Sequence, residues 1–192
     1  MNWYENAIIY HIYPLGFCGA PRFNDGGEVV YRLDKVLDWI PHLKEMNVDA
    51  VYFGPVFESV EHGYDSVDYK KIDRRLGDNN SFRFICDRLH DAGIRVILDG
   101  VFNHTGDDSR YFNRYGLYPT VGAVQSEDSP YNKWFCFRKF PDEYESWWGI
   151  PILPKLNHST EACRSYFTGE NGVCAHYVKK GIGGWRLDVA DE

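Results

Sequence analysis

Apolar residues follow two alternating periods along this chain. Residues 7–17 (AIIYHIYPLGF) form a β-branched and aromatic run that stops at Pro14 and Gly16. Such a run predicts a first strand buried on both sides. After a glycine-rich loop over 19–27, Leu33, Val36, Leu37, Ile40, Leu43 and Met46 recur at helical spacing, with Lys and Asp between them. That pattern predicts an amphipathic helix over 29–47. Residues 48–57 (VDAVYFGPVF) read as a second strand, broken by Gly54 and Pro55, and 58–77 as an irregular loop. Asn80 and Ser81 can cap a second helix with the stripe Phe82, Ile85, Leu89 and Ala92, closed by Gly93. Residues 94–102 (IRVILDGVF) predict a third strand. From 105 to 160 the periodicity is lost. A structureless loop of that length does not suit a compact domain, so an inserted subdomain is expected there. Helical spacing resumes over 160–180, interrupted near Gly169 and Gly172, and 181–192 (GIGGWRLDVADE) reads as a fourth strand.

Strands alternating with helices imply parallel βαβ units. Right-handed crossovers would put the C-terminal end of every strand on one side. The expected class is α/β, with the first four βα units of a (β/α)8 barrel of the TIM type. Its division would be 1–104 for the first part of the barrel, 105–160 for the insertion, and 161–192 for the third helix and fourth strand. A dinucleotide-binding sheet is the competing architecture, but no G-x-G-x-x-G follows the first strand.

Composition narrows the function. Net charge is −7 with no basic block, which argues against nucleic acid as the main partner. Aromatic residues make up 17% of the chain, enough for a large core and for flat faces that suit sugars. The five cysteines form no CxxC pair, so free thiols in a reducing compartment are expected and a zinc site is not supported. The N-terminal stretch MNWYENAIIYHIY lacks the pattern of a secretory leader, and no run is long enough for a membrane span. A cytoplasmic protein is expected, with no membrane partner.

Three polar clusters fall at the C-terminal ends of predicted strands: Tyr64 and Asp65, Asn103 and His104, Arg186 and Asp188. In a β/α barrel, function gathers at that face. Arg186 and Asp188 are two apart and share one side of their strand. An Arg beside a carboxylate favours its charged form, which a nucleophile needs. A purely structural Arg–Asp pair is the other reading of that stretch alone. His11, His42, His90 and His176 read as ordinary core or surface histidines.

These residues together resemble the alpha-amylase superfamily of retaining glycoside hydrolases and transglycosylases. Asp99-Gly-Val-Phe-Asn103-His104 is similar to its D-x-V-x-N-H signature, and Gly184-Trp185-Arg186-Leu187-Asp188 to G-[FW]-R-x-D. His62-Gly63-Tyr64-Asp65 resembles H-G-Y-D. Leu153-Pro154-Lys155-Leu156-Asn157 resembles the M-P-K-L-N segment of the cyclomaltodextrinase and neopullulanase branch, with Leu for Met. The resemblance implies that Asp188 is the nucleophile and that Arg186 orients it. His104 would bind sugar hydroxyls, and Tyr64 would lie under the same sugar. Asp99 and Asp65 would hold the ion-pair network of the site. Asn103 matches a calcium ligand of many members, although this branch often lacks that site. No other cofactor is implied.

The implied substrates are alpha-glucan oligosaccharides such as maltodextrins or cyclodextrins. A non-catalytic sugar-binding or scaffold protein of the same fold is the alternative. In the family the general acid is a Glu after the fifth strand, and the chain stops at the fourth. These 192 residues alone are therefore expected to be inactive. Their open strand edges are expected to pair with the remaining half of the barrel or with a second copy of the chain.

Overall fold

The computed structural model describes residues 2–192. Four parallel strands form one sheet in the order β1 (Ile9–Ile12), β2 (Ala50–Phe53), β5 (Arg95–Gly100) and β8 (Gly184–Leu187). Each neighbour follows the last through a helical crossover: α2 (Lys35–Glu45), α3 (Asn79–Asp91), and the pair α4 (Glu161–Thr168) and α5 (Val173–Val178). The register puts His11, Tyr52, Ile97 and Gly184 in one row across the sheet. Ile12, Phe53, Leu98 and Trp185 form the next row. That second row faces the helices, where Ile12, Val51, Phe53, Val96 and Leu98 pack with Val36, Leu43, Phe82, Ile85 and Leu89 in the core. The sheet is open: among the described residues no strand pairs with the outer edges of β1 and β8.

Openness corrects the expectation of a first strand buried on both sides. Ile9 and His11 are exposed and only Ile12 is buried, because their face of β1 has no facing layer. The strand is also shorter than 7–17. Pro14 takes the first position of a helical turn, α1 (Pro14–Phe17), where its fixed φ suits the turn and its missing N–H costs nothing. The first long helix is shorter too. Val29, Val30 and Tyr31 are exposed, and the Val30 amide donates to the Arg74 carbonyl, so this segment runs extended along its neighbour.

The stretch expected as an irregular loop over 58–77 is a hairpin. β3 (Phe57–Ser59) pairs antiparallel with β4 (Ser66–Ile72). Asp68, Lys70 and Lys71 hide the strand pattern in the sequence, yet Tyr69 is fully buried and packs against Phe57 and Phe102. The cap of α3 is Asp78 and not Asn80. Asp78 Oδ1 accepts from the Asn80 and Ser81 amides at 2.9 and 2.8 Å, and Ser81 Oγ accepts from the Asp78 amide at 2.9 Å. The two side chains thereby satisfy each other's backbone donors.

Between β5 and α4 the chain is mostly irregular, with one short hairpin of β6 (Phe137–Lys139) and β7 (Glu143–Tyr144). Aromatic packing holds it, as in Tyr111 stacked on Trp134 at 5.4 Å and Phe112 edge-on to Phe135 at 4.8 Å. Isolated bridges join His104 to Lys155 and Phe135 to Leu156. They return the segment to the C-terminal end of β5.

Candidate active site

The C-terminal ends of β2, β5 and β8 carry one hydrogen-bonded polar chain. Asp99, near the end of β5, is fully buried. Its Oδ2 accepts from the Tyr52 hydroxyl at 2.6 Å and from the Tyr64 hydroxyl at 3.4 Å. Its Oδ1 accepts from Arg186 Nη1 at 2.9 Å. The same Nη1 donates to Asp188 Oδ1 at 2.5 Å. Asp99 and Arg186 are register partners across β5 and β8, and Asp188 is the first residue after β8, so strand pairing sets this geometry. Arg186 therefore bridges two carboxylates, one sealed in the sheet and one at the floor of a cleft.

Burial raises the Asp99 carboxyl above its ordinary range, while the bonds from Tyr52 and Arg186 pull it back. Burial also works against the Arg186 charge, but the bonds to Asp99 and Asp188 outweigh it and hold the guanidinium above its usual value. The Tyr64 phenol is pushed up to about 12, first by burial and then by the Asp99 charge. Tyr64 thus presents a neutral ring.

Tyr64, His104 and Asp188 line a cleft of about 410 Å³ together with His62, Trp147, Ile150, Ile152 and Leu153. That volume and largely apolar wall, with a few polar groups, match a small-molecule site. His104 is 2% exposed, and its ring lies 5.6 Å from that of Trp147. Burial lowers its pKa, so the ring is neutral at pH 7. Asn103 Nδ2 lies 3.3 Å from His104 Nδ1. With the Asn103 amide nitrogen as donor, Nδ1 accepts and the ring proton is on Nε2; the opposite tautomer, with the amide flipped, reverses the roles. Nε2 is buried and has no hydrogen-bond partner among the described residues. A buried polar atom of this kind needs a partner.

The structure brings Asp188, Arg186, Asp99, Tyr64 and His104 together. Asp65 does not join the Arg186 chain. Its carboxylate accepts from the Glu61 and Gly63 amides at 2.7 and 3.1 Å and lies 3.5 Å from His62 Nδ1. It shapes the turn that presents Tyr64. Gly63 has a φ of 95°, and a Cβ there would meet Pro55 at 2.7 Å, so the turn requires glycine. Asn103 is engaged with His104. Among the described residues no group of three His, Cys, Asp or Glu is arranged to hold a metal ion.

Comparison with known proteins decides the family. The profile of the alpha amylase catalytic domain matches residues 12–192. The chain belongs to the alpha-amylase catalytic domain family. An amylopullulanase of Thermoanaerobacterium thermosulfurigenes is 39% identical over 250 aligned residues, covering 100% of this chain and 13% of that protein. Neopullulanase 2 of Thermoactinomyces vulgaris is 34% identical, covering 100% of this chain and 35% of its own length. Among solved structures, Ttha1563 from Thermus thermophilus superposes with a TM-score of 0.80 at 35% identity, covering 99% of this chain and 43% of that one. The chain thus spans a minor part of these relatives. Its four-stranded parallel sheet fits part of an α/β barrel.

Two residues beside the site, Tyr52 behind Asp99 and Trp147 in the cleft lining, carry no assigned role in the sequence pattern, and His62 carries none of its own. Tyr52 carries the shortest bond to Asp99, and its signal was the single polar-tipped residue in AVYF, between Val51 and Phe53. His62 was visible only as part of its motif. Trp147 gave no signal beyond general aromatic richness.

Proposed function

We propose that the protein containing this chain is a retaining glycoside hydrolase of alpha-glucans, with Asp188 as its nucleophile. One observation carries the reading: Arg186 clamps Asp188 against buried Asp99, at the floor of a cleft lined by Tyr64 and His104. The neopullulanase and amylopullulanase names of the relatives support an alpha-glucan as substrate.

The geometry supplies half of the required chemistry. Asp188 attacks the anomeric carbon while the glycosidic C–O bond breaks. A glycosyl ester forms on Asp188, and the leaving oxygen takes a proton from a second carboxyl group. Arg186 keeps the Asp188 carboxylate oriented by its 2.5 Å bond to Oδ1. Tyr64 supplies a flat ring for the apolar face of the sugar. His104 Nε2 would bond a sugar hydroxyl, which can donate or accept, and so satisfy its missing bond. Among the described residues lining the cleft, Asp188 is the one carboxylate, so the general acid comes from outside this lining.

The test is Asp188→Asn in the whole protein. Loss of a nucleophile removes turnover by several orders of magnitude, while uncharged Asn keeps the shape needed for binding. We expect no release of reducing sugar from maltotriose and oligosaccharide binding within a few-fold of wild type. Turnover within about tenfold of wild type would remove Asp188 from the mechanism. A sugar-binding protein without catalysis would show binding and no wild-type turnover.

A further inference from the structure

Above the cleft, the turn Trp147–Gly149 makes a second aromatic surface. Trp148 is 75% exposed. Its indole lies face to face with that of Trp147, with centroids 4.8 Å apart and planes 11° apart. Trp147 in turn faces His104. Trp148 is thus stacked on a ring that lines the cleft, while most of its own surface is exposed. Exposure of a large aromatic here is not the accident of a loose loop. Trp148 sits in the left-handed region at φ 49° and ψ 26°, a conformation unfavourable for a bulky residue, and Gly149 follows at φ 74°. The indole N–H donates to Glu192 Oε1 at 2.6 Å, so the ring is also held in plane. A strained backbone and a fixed indole cooperate to present one flat apolar face to solvent at the mouth of the site.

We propose that Trp148 is a remote sugar-stacking subsite that selects longer alpha-glucans. The inference rests on the alpha-glucan reading above. A sugar ring has one face of axial C–H groups, which packs on an aromatic plane, and a preoriented Trp offers that plane at little entropic cost. Trp148 is outside the lining of the cleft that holds Tyr64 and Asp188, so the glucosyl unit on it is not the unit that meets them. Short substrates leave it empty and longer ones reach it.

The experiment is calorimetric binding of maltotriose and maltoheptaose to the whole protein carrying Asp188→Asn, with and without Trp148→Ala or Trp148→Phe. Trp148→Ala should weaken maltoheptaose by roughly 5- to 30-fold, the scale of one aromatic contact. Maltotriose should weaken by less than about twofold on the same reasoning, and Trp148→Phe should restore most of the maltoheptaose affinity because it keeps a ring. Unchanged maltotriose binding also shows that the variant is folded with its cleft intact. Equal losses for both sugars, or no loss for either, overturn the subsite. If the parent Asp188→Asn protein binds neither sugar, the alpha-glucan reading falls as well; intact parent binding with an indifferent Trp148→Ala sinks the subsite alone.

Discussion

Removing the Arg186 guanidinium, as in Arg186→Met, should destabilise the protein in a pH-dependent way. The residue bonds to a carboxylate that is 0% exposed, at 2.9 Å, and to Asp188 at 2.5 Å. Breaking a fully buried ion pair by deleting one partner costs about 3–5 kcal/mol. The Arg186 side chain is 45% exposed, so solvent already screens part of the interaction. The Tyr52 hydroxyl also remains on Asp99. We therefore expect roughly 2 kcal/mol at neutral pH, or about 4–8 °C in Tm for a chain of this size. The sign of the pH effect follows from Asp99. Its folded-state pKa is raised above the ordinary value of 3.8, chiefly by burial. Its ionisation therefore opposes folding: the stability contribution is complete below 3.8 and is lost as pH rises through the folded-state value. Without Arg186 that folded-state value moves higher, and the loss extends further up the pH scale. Thermal unfolding of wild type and Arg186→Met, followed by circular dichroism, should show a small gap at about pH 4 and a full one at about pH 7. A gap of equal size at both values, or no gap at all, would refute the claim that Arg186 holds a buried anionic Asp99.

Further expectations concern separate parts of the chain. Tyr64→Ala should weaken oligosaccharide binding by roughly tenfold, while Tyr64→Phe keeps the ring and should cost less than about threefold. The long 3.4 Å bond from the Tyr64 hydroxyl to Asp99 predicts that small cost, and equal losses in calorimetry would instead assign binding to the hydroxyl. Asp78→Ala should lower stability by about 1 kcal/mol through loss of the α3 cap, with Asn80→Ala near neutral in urea unfolding. The amides of Ser81 and Asn80 hold the Asp78 carboxyl below its usual value, with the Ser81 amide acting most strongly. The Asp78→Ala effect should therefore be present above pH 3.8 and vanish as pH falls through the depressed folded-state value. A protein limited to these 192 residues should release no reducing sugar from maltotriose, because its cleft lining offers one carboxylate where the reaction needs two. Authentic hydrolysis by that purified chain would show that a further acid lies within it.

Much of the fold could be read from periodicity because the sheet sorts its residues by side. In IRVILDGVF the residues that face the helices, Val96 and Leu98, are fully buried, and the run is apolar enough to be recognised without its neighbours. β4 is the counterexample. SVDYKKI is buried along most of its length, yet Asp68 pairs with Lys71 and Arg110, which lets charged residues occupy a buried strand. A pattern rule that expects apolar residues inside misses such a strand, because local ion pairs have replaced burial as the way of satisfying it. Both long helices were placed correctly in their interiors and misjudged at their starts. The start of α3 is set by the Asp78 cap, which the apolar stripe does not report, and α2 starts without a side-chain cap, after a 3-10 turn over Arg32–Asp34.

The site was legible to the extent that its residues sit next to one another along a strand. Arg186 and Asp188 meet because two residues on one strand share a face, and Asp99 meets Arg186 because β5 and β8 pair in register. The first relation is local, and the second needs only the strand order. Trp147 is a different case. It reaches His104 through a segment with no regular period, and the bridge that returns this segment pairs His104 with Lys155. One of these residues belongs to the D-x-V-x-N-H stretch and the other to the L-P-K-L-N stretch. Each stretch can be recognised alone, but nothing in either says that their backbones touch. Once they do, the intervening residues are folded back over the end of β5, and Trp147 has little choice but to roof the cleft. Part of the cleft wall therefore comes from the part of the chain with the weakest pattern, while the Asp99–Arg186–Asp188 chain comes from the part with the strongest.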